Sequence, residues 1–351
     1  MKNLDALSII RGALAKPSGN EDDPWRRVIL RRVGLAGKPD LELALDTPAD
    51  QLRRQVQAAG DPRHLLLTGG DTYAVERPVP APATPLAGKV ALVTGAGGAI
   101  GAGVCRDLLG KGCHVAATDI AVEPLRAVVA ELQRSATDRI IGVPLDVTDK
   151  QSVADGFAQV AGAWGGLDIV VVNAGIAMVA PLMELDVEAF RRLERVNVDG
   201  TLLTLAEAGR CLARQGTGGD IILISTKNVF APGAQFGAYS ATKAASHQLA
   251  RIASLEFAPF GVRVNMVAPD AVFNDGDRRA GLWADVGPSR MKARGRDEKG
   301  LEEYYRNRNL LKARVTAAHV ANAVLFFATR QTPTTGATIP VDGGLPEATP
   351  R

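Results

Sequence analysis

The sequence predicts an α/β fold: a doubly wound parallel sheet, with a small α/β appendage at the N-terminus. From Gly88 onward, short apolar runs rich in Val and Ile alternate with segments of helical spacing. Such runs suit strands that are buried on both faces, as in a parallel sheet covered by helices. The turns after these strands carry Gly, Asp or Asn. Because ligands bind at the carboxyl ends of such strands, these turns predict the site.

The composition favours one large domain with an appendage. The chain has 351 residues, 46% hydrophobic and 23% charged, which is enough for a sizeable core. A net charge of +3 gives no reason to expect a nucleic-acid partner, and no apolar stretch approaches a membrane span. There is no signal-peptide pattern, and the three cysteines have no paired spacing. We therefore expect a cytoplasmic protein with no membrane partner. The four scattered histidines predict no metal site.

Residues 1–85 differ in character from the rest of the chain. Two charged helical segments, around 5–14 and 50–59, are separated by prolines, and 65–68 is a short strand candidate. The stretch 77–85 is typical of a polyproline-type linker. We find no group of residues suited to catalysis here and interpret the segment as a packing or docking appendage of unknown role. Residues 86–351 form the main domain.

A glycine-rich turn follows the first strand of the main domain. The strand 89–94 leads into GAGGAIG at 95–101, and helical spacing begins at once. Glycines let backbone N–H groups approach a pyrophosphate, and the helix N-terminus adds partial positive charge. The run matches T-G-x-x-x-[G/A]-I-G rather than G-x-G-x-x-G. The residues predicted to hold the phosphates are Gly95, Gly98, Ile100 and Gly101.

The next strands end in residues that suit the rest of a dinucleotide. Asp119 ends the second strand, where a carboxylate accepts hydrogen bonds from the adenosine ribose and repels a 2′-phosphate. The predicted cofactor is therefore NAD rather than NADP. The turns after later strands supply the other predicted contacts, which are Asp146, Val147, Asn173, Ala174, Gly175, Pro269 and Val272.

Tyr239 and Lys243 form the centre of the predicted catalytic site. In a helix that begins near Gly237 they lie one turn apart on the same face. A phenol has an ordinary pKa of about 10, and a nearby ammonium favours its ionised form. Thr226, thirteen residues earlier at a strand end, is placed to hold a substrate oxygen against the phenol. A packed tyrosine beside a solvated lysine is the alternative interpretation.

Two further features bear on catalysis and specificity. Asn197 lies inside a predicted long helix, 187–215, where an amide is costly unless its side chain has a task. It is either a surface residue or one that orders water near Lys243. Residues 275–312 form an irregular, net positive excursion, interpreted as a lid. Its charge fits a polar or phosphorylated substrate, with a solvated face as the alternative.

Together these motifs resemble the short-chain dehydrogenase/reductase family. The resemblance covers about residue 86 to the C-terminus and includes Val341-Asp342-Gly343-Gly344. It implies a Rossmann fold, a tyrosine acid/base, and a lysine that tunes the tyrosine and binds the nicotinamide ribose, so that Tyr239 and Lys243 also contact the cofactor. It further implies an asparagine in a proton relay and a hydroxyl that steadies the substrate oxygen. A homodimer or homotetramer is expected through the helices near Val187 and Gly237.

A narrower resemblance points to the dehydrogenase half of bifunctional rhamnulose-1-phosphate aldolase/short-chain dehydrogenase proteins, which implies a lactaldehyde-like substrate. It is carried by 227–233, 265–273, 302–311 and 340–351. Residues 1–85 are too short for a full class II aldolase, and with His64 alone they lack its histidine zinc site.

The chain departs from the family pattern at four positions. Thr226 stands in place of Ser and Val172 in place of Asn. Asp270 stands in place of Gly, and Asn274 in place of a Thr that often contacts the cofactor. The last two lie near the nicotinamide end of the predicted site, so they bear on substrate and rate.

Two functions follow from the sequence. The first is an NAD-dependent oxidoreductase acting on a small hydroxylated aldehyde, ketone or alcohol, with a sugar alcohol or a 3-oxoacyl compound as the main competing substrates. The second is an NAD-binding scaffold or sensor with little turnover, whose N-terminal segment docks a partner.

Overall fold

The computed structural model shows a Rossmann-type fold, which confirms the predicted fold class. It describes residues 3–34, 38–68, 71–273, 280, 283 and 286–348. The central sheet has seven strands, and every neighbouring pair is parallel. Helices pack on both faces and enclose two apolar clusters. In the described part of the chain, no helix is long and apolar enough to cross a membrane.

The described strands are β1 (Lys16–Pro17), β2 (Trp25–Arg26), β3 (Ile29–Val33), β4 (Leu41–Leu43), β5 (His64–Leu67), β6 (Thr72–Glu76), β7 (Val90–Thr94), β8 (His114–Asp119), β9 (Ile140–Pro144), β10 (Ile169–Val172), β11 (Gly219–Ile224), β12 (Val262–Pro269) and β13 (Thr338–Val341). The described helices are α1 (Asn3–Leu14), α2 (Ala49–Ala58), α3 (Ala99–Gly110), α4 (Val122–Gln133), α5 (Lys150–Trp164), α6 (Val187–Glu194), α7 (Gly200–Gln215), α8 (Gly237–Glu256), α9 (Gly287–Arg294), α10 (Glu298–Arg308) and α11 (Ala317–Ala328).

The order of the strands places a crevice beside β7. The sheet runs β13-β12-β11-β10-β7-β8-β9, so the chain proceeds from β7 to one edge and then returns to β10 on its other side. All five residues of β7 are buried, as the apolar run predicts. Because the loops after β7 and β10 lead to opposite sides, a crevice opens between them at the carboxyl ends.

The N-terminal segment packs against the opposite end of the sheet. Four of its six described strands form a second sheet in the order β3-β6-β5-β4, and β1 pairs with β2. Asp168, just before β10, is buried between two guanidinium groups of this segment. Arg11 Nη2 lies 2.6 Å from Asp168 Oδ2, and Arg27 Nε lies 2.8 Å from Asp168 Oδ1. Ile29 joins the core of the main sheet. The segment is therefore in close contact with the starts of the main strands.

Two segments differ from their predicted form. The helix predicted over 187–215 is divided by a π-helical turn, Arg195–Asp199, into α6 and α7. The segment predicted to be irregular over 275–312 contains α9 and α10. Asn274, and 275–279, 281, 282, 284 and 285 of the predicted lid, lie outside the described residues.

Candidate active site

A cavity of about 1020 Å³ lies at the carboxyl ends of the parallel strands. It brings together every predicted site residue except Asn197. The predicted residues that line it are Gly95, Gly98, Ile100, Gly101, Asp119, Asp146, Val147, Asn173, Ala174, Gly175, Thr226, Tyr239, Lys243, Pro269 and Val272. No cluster of three His, Cys, Asp or Glu that could hold a metal ion occurs among the residues described.

The glycine-rich turn is closed too tightly for side chains at two positions. Gly95 has φ +64°, and a Cβ on it would lie 2.9 Å from Ala174 Cα. A Cβ on Gly101 would lie 2.4 Å from the Gly95 carbonyl oxygen. Asn173 holds the turn, because its Nδ2 donates to the carbonyls of Thr94 at 2.9 Å and Gly95 at 3.0 Å.

Gly98 differs from these two glycines. A Cβ on Gly98 would meet only the Gly95 carbonyl, at 3.7 Å, so its outer side faces the cavity. It also precedes the first residue of α3. The turn is therefore closely packed against the protein at Gly95 and Gly101 and open to the cavity at Gly98. Such a turn at a helix N-terminus fits the phosphates of a dinucleotide.

Two carboxylates, Asp119 and Asp146, line the cavity at or just after the ends of the next two strands. Asp119 accepts from the backbone N–H of Gly97 at 2.9 Å and of Ala121 at 2.8 Å, which fixes its carboxylate beside the turn. Asp146 Oδ1 accepts from the backbone N–H and the hydroxyl of Thr148, both at 2.8 Å. One oxygen of Asp146 is thus engaged in its own loop.

Tyr239 lies in the first turn of α8, and its phenol is in a desolvated place. Burial raises the pKa of Tyr239 to about 12, a hydrogen bond with the Thr226 side chain opposes this rise, and Asp270 adds to it. The sequence predicts a phenol pKa lowered by Lys243. That prediction is wrong, because burial and not Lys243 dominates the shift of the phenol pKa, and spacing along a helix does not reveal burial. The Thr226 side chain interacts with the phenol, and its role in holding a substrate oxygen stays a prediction.

Lys243 is buried between β11 and the turn after β10. Its Nζ donates to the carbonyl of Ile224 at 2.8 Å, and a Cβ on Gly175 would lie 3.7 Å from the same nitrogen. Burial lowers the pKa of Lys243 to about 8. The alternative of a solvated lysine is therefore wrong.

Asn197 is buried in the π-helical turn, so the surface alternative is wrong for it too. Its Oδ1 accepts from the N–H of Ile176 at 2.9 Å, and its Nδ2 donates to the Ile176 carbonyl and to Thr242 Oγ1, both at 3.0 Å. The side chain ties α8 to the turn after β10. Asn197 is thus a positioning residue in this structure, and its role in ordering water stays a prediction.

Sequence analysis missed an ion pair at the far end of the cavity. Arg308 of α10 donates through Nε to Asp270 Oδ2 at 3.2 Å, and its Nη2 contacts the other oxygen. The departure at Asp270 therefore places a carboxylate that holds α10 over the strand ends. The net positive charge of the lid was the available signal, but it did not indicate which side chains turn inward.

We expect Lys243 to make stability rise with pH in the alkaline range. Its pKa is about 8 in the folded chain, against an ordinary value of 10.5 for the exposed group. Between these values the unfolded chain binds more protons, so the free energy of unfolding increases with pH. Urea titrations at pH 8 to 10 measure this free energy of unfolding. Its value for wild type should rise relative to that of Lys243→Met as the pH increases across this window. The exposed Lys150→Met should run parallel to wild type, and parallel curves for both variants would contradict the assignment.

Comparisons with known proteins agree with this geometry. The family model for short chain dehydrogenases matches residues 89–282. The uncharacterized oxidoreductase YuxG of Bacillus subtilis is 36% identical over 262 residues, which are 74% of this chain. The chain spans only 38% of the length of YuxG. A sorbitol dehydrogenase of Cereibacter sphaeroides is 36% identical over 57% of this chain and 75% of its own length.

Among solved structures, sorbitol-6-phosphate 2-dehydrogenase SrlD of Erwinia amylovora superimposes with a TM-score of 0.66 at 28% identity. The superposition covers 72% of this chain and 98% of SrlD. The glycine-rich turn, the Tyr239 helix and the strands β7 to β12 lie within the region that the family model matches. The chain belongs to the short-chain dehydrogenase family.

Proposed function

We propose that this chain is an NAD-dependent oxidoreductase acting on a small hydroxylated aldehyde, ketone or alcohol, lactaldehyde-like or sugar-derived. The observation that carries the proposal is that Tyr239, Thr226 and Lys243 line the same cavity as the glycine-rich turn. The similarity to a sorbitol dehydrogenase and to a sorbitol-6-phosphate 2-dehydrogenase supports a polyol or its oxidised form.

The side chains around Tyr239 account for the movement of the proton. A phenol with a pKa of about 12 is protonated at neutral pH and is thus ready to donate to a substrate carbonyl oxygen in the reductive direction. In the oxidative direction the phenol must first release its proton to solvent water, and the phenolate then accepts the proton of the alcohol. The Thr226 hydroxyl holds the same substrate oxygen. The nicotinamide ring, when bound, supplies the hydride chemistry.

NAD is proposed over NADP because of Asp119. Its carboxylate is fixed beside the glycine-rich turn, and the next residue, Ile120, is exposed and uncharged. A 2′-phosphate placed near that carboxylate would meet like charge, with no arginine at the following position to compensate.

Replacing both Asp119 and Ile120 is expected to reverse the cofactor preference. We expect wild type to favour NAD in kcat/KM by at least about tenfold, and Asp119→Ser with Ile120→Arg to favour NADP, because repulsion is replaced by attraction to the phosphate. Asp146→Ser is the matched control, since it also removes a carboxylate from the cavity. An equal shift in the control would assign the preference to general charge rather than to Asp119.

The narrower resemblance to aldolase-linked dehydrogenases provides the reason to test lactaldehyde. None of the three proteins compared above is named as an aldolase, so this part stays a proposal. The initial experiment is to follow absorbance of the reduced nicotinamide with NAD and NADP in parallel, over lactaldehyde, short diols, sugar alcohols and sugar phosphates. NAD-linked turnover of one class supports the enzyme; NAD binding without turnover of any would favour the scaffold or sensor.

An oligomer is also proposed. Two helices beside the site expose large apolar side chains: Leu202 on α7 is 48% exposed, and Ile252 and Leu255 on α8 are 43% and 76% exposed. Apolar surface on neighbouring helices suits self-association into a homodimer or homotetramer. Light scattering on the purified protein measures this directly.

A further inference from the structure

The part of the cavity beyond Tyr239 has an excess of positive charge. Four basic side chains line it, and we call them the cationic end: Lys227, Arg290, Arg294 and Arg308. The carboxylates lining the same part are Asp270 and Glu347. Asp270 is already paired with Arg308. The remaining basic side chains therefore outnumber the remaining acidic one.

Lys227 is buried within this cluster, with a weak partner. It is 7% exposed, and its Nζ donates to the backbone carbonyl of Ala231 at 2.9 Å. Burial lowers its pKa, as do the positive charges of Arg308 and Arg290, while Asp270 and Glu347 oppose the change. An ammonium in this position is stabilised when an anion is added beside it.

Arg290 is buried with neutral partners. It is 6% exposed; its Nε donates to the Tyr305 hydroxyl and its Nη1 to Gln235 Oε1, both at 3.3 Å. Its guanidinium carbon lies 4.9 Å from the centre of the Phe236 ring. Over the described ranges, no carboxylate forms an ion pair with it. Both hydrogen bonds are long for a charged donor, so the guanidinium group of Arg290 can still donate to a further acceptor.

Gln235, whose side-chain amide oxygen accepts from Arg290, has a constrained backbone. Gln235 has φ 70°, in the left-handed region that residues other than glycine rarely adopt. Its carbonyl accepts from the N–H of Ala180 at 2.9 Å, which fixes the strained residue. Strain of this kind persists where the surrounding structure enforces it, commonly at ligand sites. Phe236 next to it lies 6.1 Å, ring centre to ring centre, from Tyr239.

We propose that the substrate carries an oxyanion group, a phosphate ester or a carboxylate, and that Lys227 and Arg290 bind it. This inference rests on the proposed dehydrogenase function, whose substrate class it narrows. The reacting hydroxyl or carbonyl lies at Tyr239 and Thr226, and the anion lies at the cationic end. A small molecule with the two groups a few carbons apart fits this arrangement.

Paired substrates test the proposal. Sorbitol is compared with sorbitol 6-phosphate, and 1,3-butanediol with 3-hydroxybutyrate, in NAD-linked turnover. The anionic member of one pair should have at least about tenfold higher kcat/KM, and the pair that shows it tells a phosphate source from a carboxylate source. In Arg290→Gln the ratio of anionic to neutral kcat/KM should fall about 10- to 100-fold, mainly through KM. Arg290→Lys, which keeps the charge, should restore part of it.

The exposed Arg306→Gln on α10 is the matched control, because it removes one positive charge from outside the cavity. It should leave the ratio unchanged. If the neutral members are preferred, or if Arg290→Gln lowers both members equally, the inference fails while the dehydrogenase stands.

If no substrate is turned over, that result counts against the proposed dehydrogenase function alone. The anion site is then tested by a binding measurement. Inorganic phosphate is titrated calorimetrically with NAD present, so that the glycine-rich turn is covered. Weaker binding in both Arg290→Gln and Lys227→Met than in Arg306→Gln supports the anion site. Equal binding in all four proteins overturns it. Thermal unfolding of each variant confirms that it is folded.

Discussion

Replacing Tyr239 by phenylalanine is expected to lower kcat by roughly 10²- to 10⁴-fold, the contribution typical of a positioned acid/base. The substitution removes the phenol oxygen that meets the Thr226 hydroxyl and leaves the ring in the place where it packs near Phe236. The substrate oxygen then has no partner that can give or take its proton. Thr226 remains, but a hydroxyl of ordinary acidity does not substitute for it.

The same variant should bind NAD nearly as wild type does, since the glycine-rich turn is held by hydrogen bonds from Asn173 that do not involve Tyr239. Binding is measured by fluorescence of the reduced cofactor and turnover by its absorbance. Tyr304→Phe is the matched control: it deletes a phenol oxygen from the same cavity. Turnover within tenfold of wild type in Tyr239→Phe would rule out this phenol as the acid/base.

Removing the carboxylate of Asp168 is expected to have the largest effect on stability. Burial raises the pKa of Asp168, but Arg11 and Arg27 outweigh this and hold the pKa below its ordinary value. Asp168→Ala leaves two guanidinium groups buried without their shared anion, because each of them is at most 6% exposed. Breaking one partner out of a buried pair typically costs about 3–5 kcal/mol. We expect a loss of that order in the free energy of unfolding, measured by urea titration.

An exposed ion pair provides the control for this prediction. Glu194 pairs with Arg191 at 2.9 Å on the surface of α6. Glu194→Ala should cost less than about 1 kcal/mol, since such pairs are screened by water. If Asp168→Ala costs no more than Glu194→Ala, water must reach the buried guanidinium groups, and the N-terminal segment is held mainly by its apolar contacts.

The sequence predicted what depends on local pattern. The strand β7, the glycine-rich turn and the start of α8 follow from apolar runs, glycine spacing and helical periodicity, which neighbouring residues determine. Asp119 was correctly placed at a strand end for the same reason. All the predicted site residues except Asn197 therefore line the cavity, although many other lining residues were not predicted.

The rest depends on contacts between distant parts of the chain. The pKa of Tyr239 is set by burial, which spacing along a helix does not reveal. The pairing of Arg11 with Asp168 joins positions 157 residues apart. The π-helical turn at Asn197 is likewise fixed by what its amide meets on the facing segment, Ile176. No window of neighbouring residues contains this information.

The docking of the N-terminal segment has a consequence for the order of events during synthesis. Arg330 donates to the Asp22 carbonyl, 308 residues earlier in the chain, and lies 3.3 Å from Asp23. Asp22 therefore waits for the synthesis of 308 further residues before this contact can form. Contacts of such long range are slow to form. The contacts between the N-terminal segment and Arg330 are thus among the last that the folding chain can make.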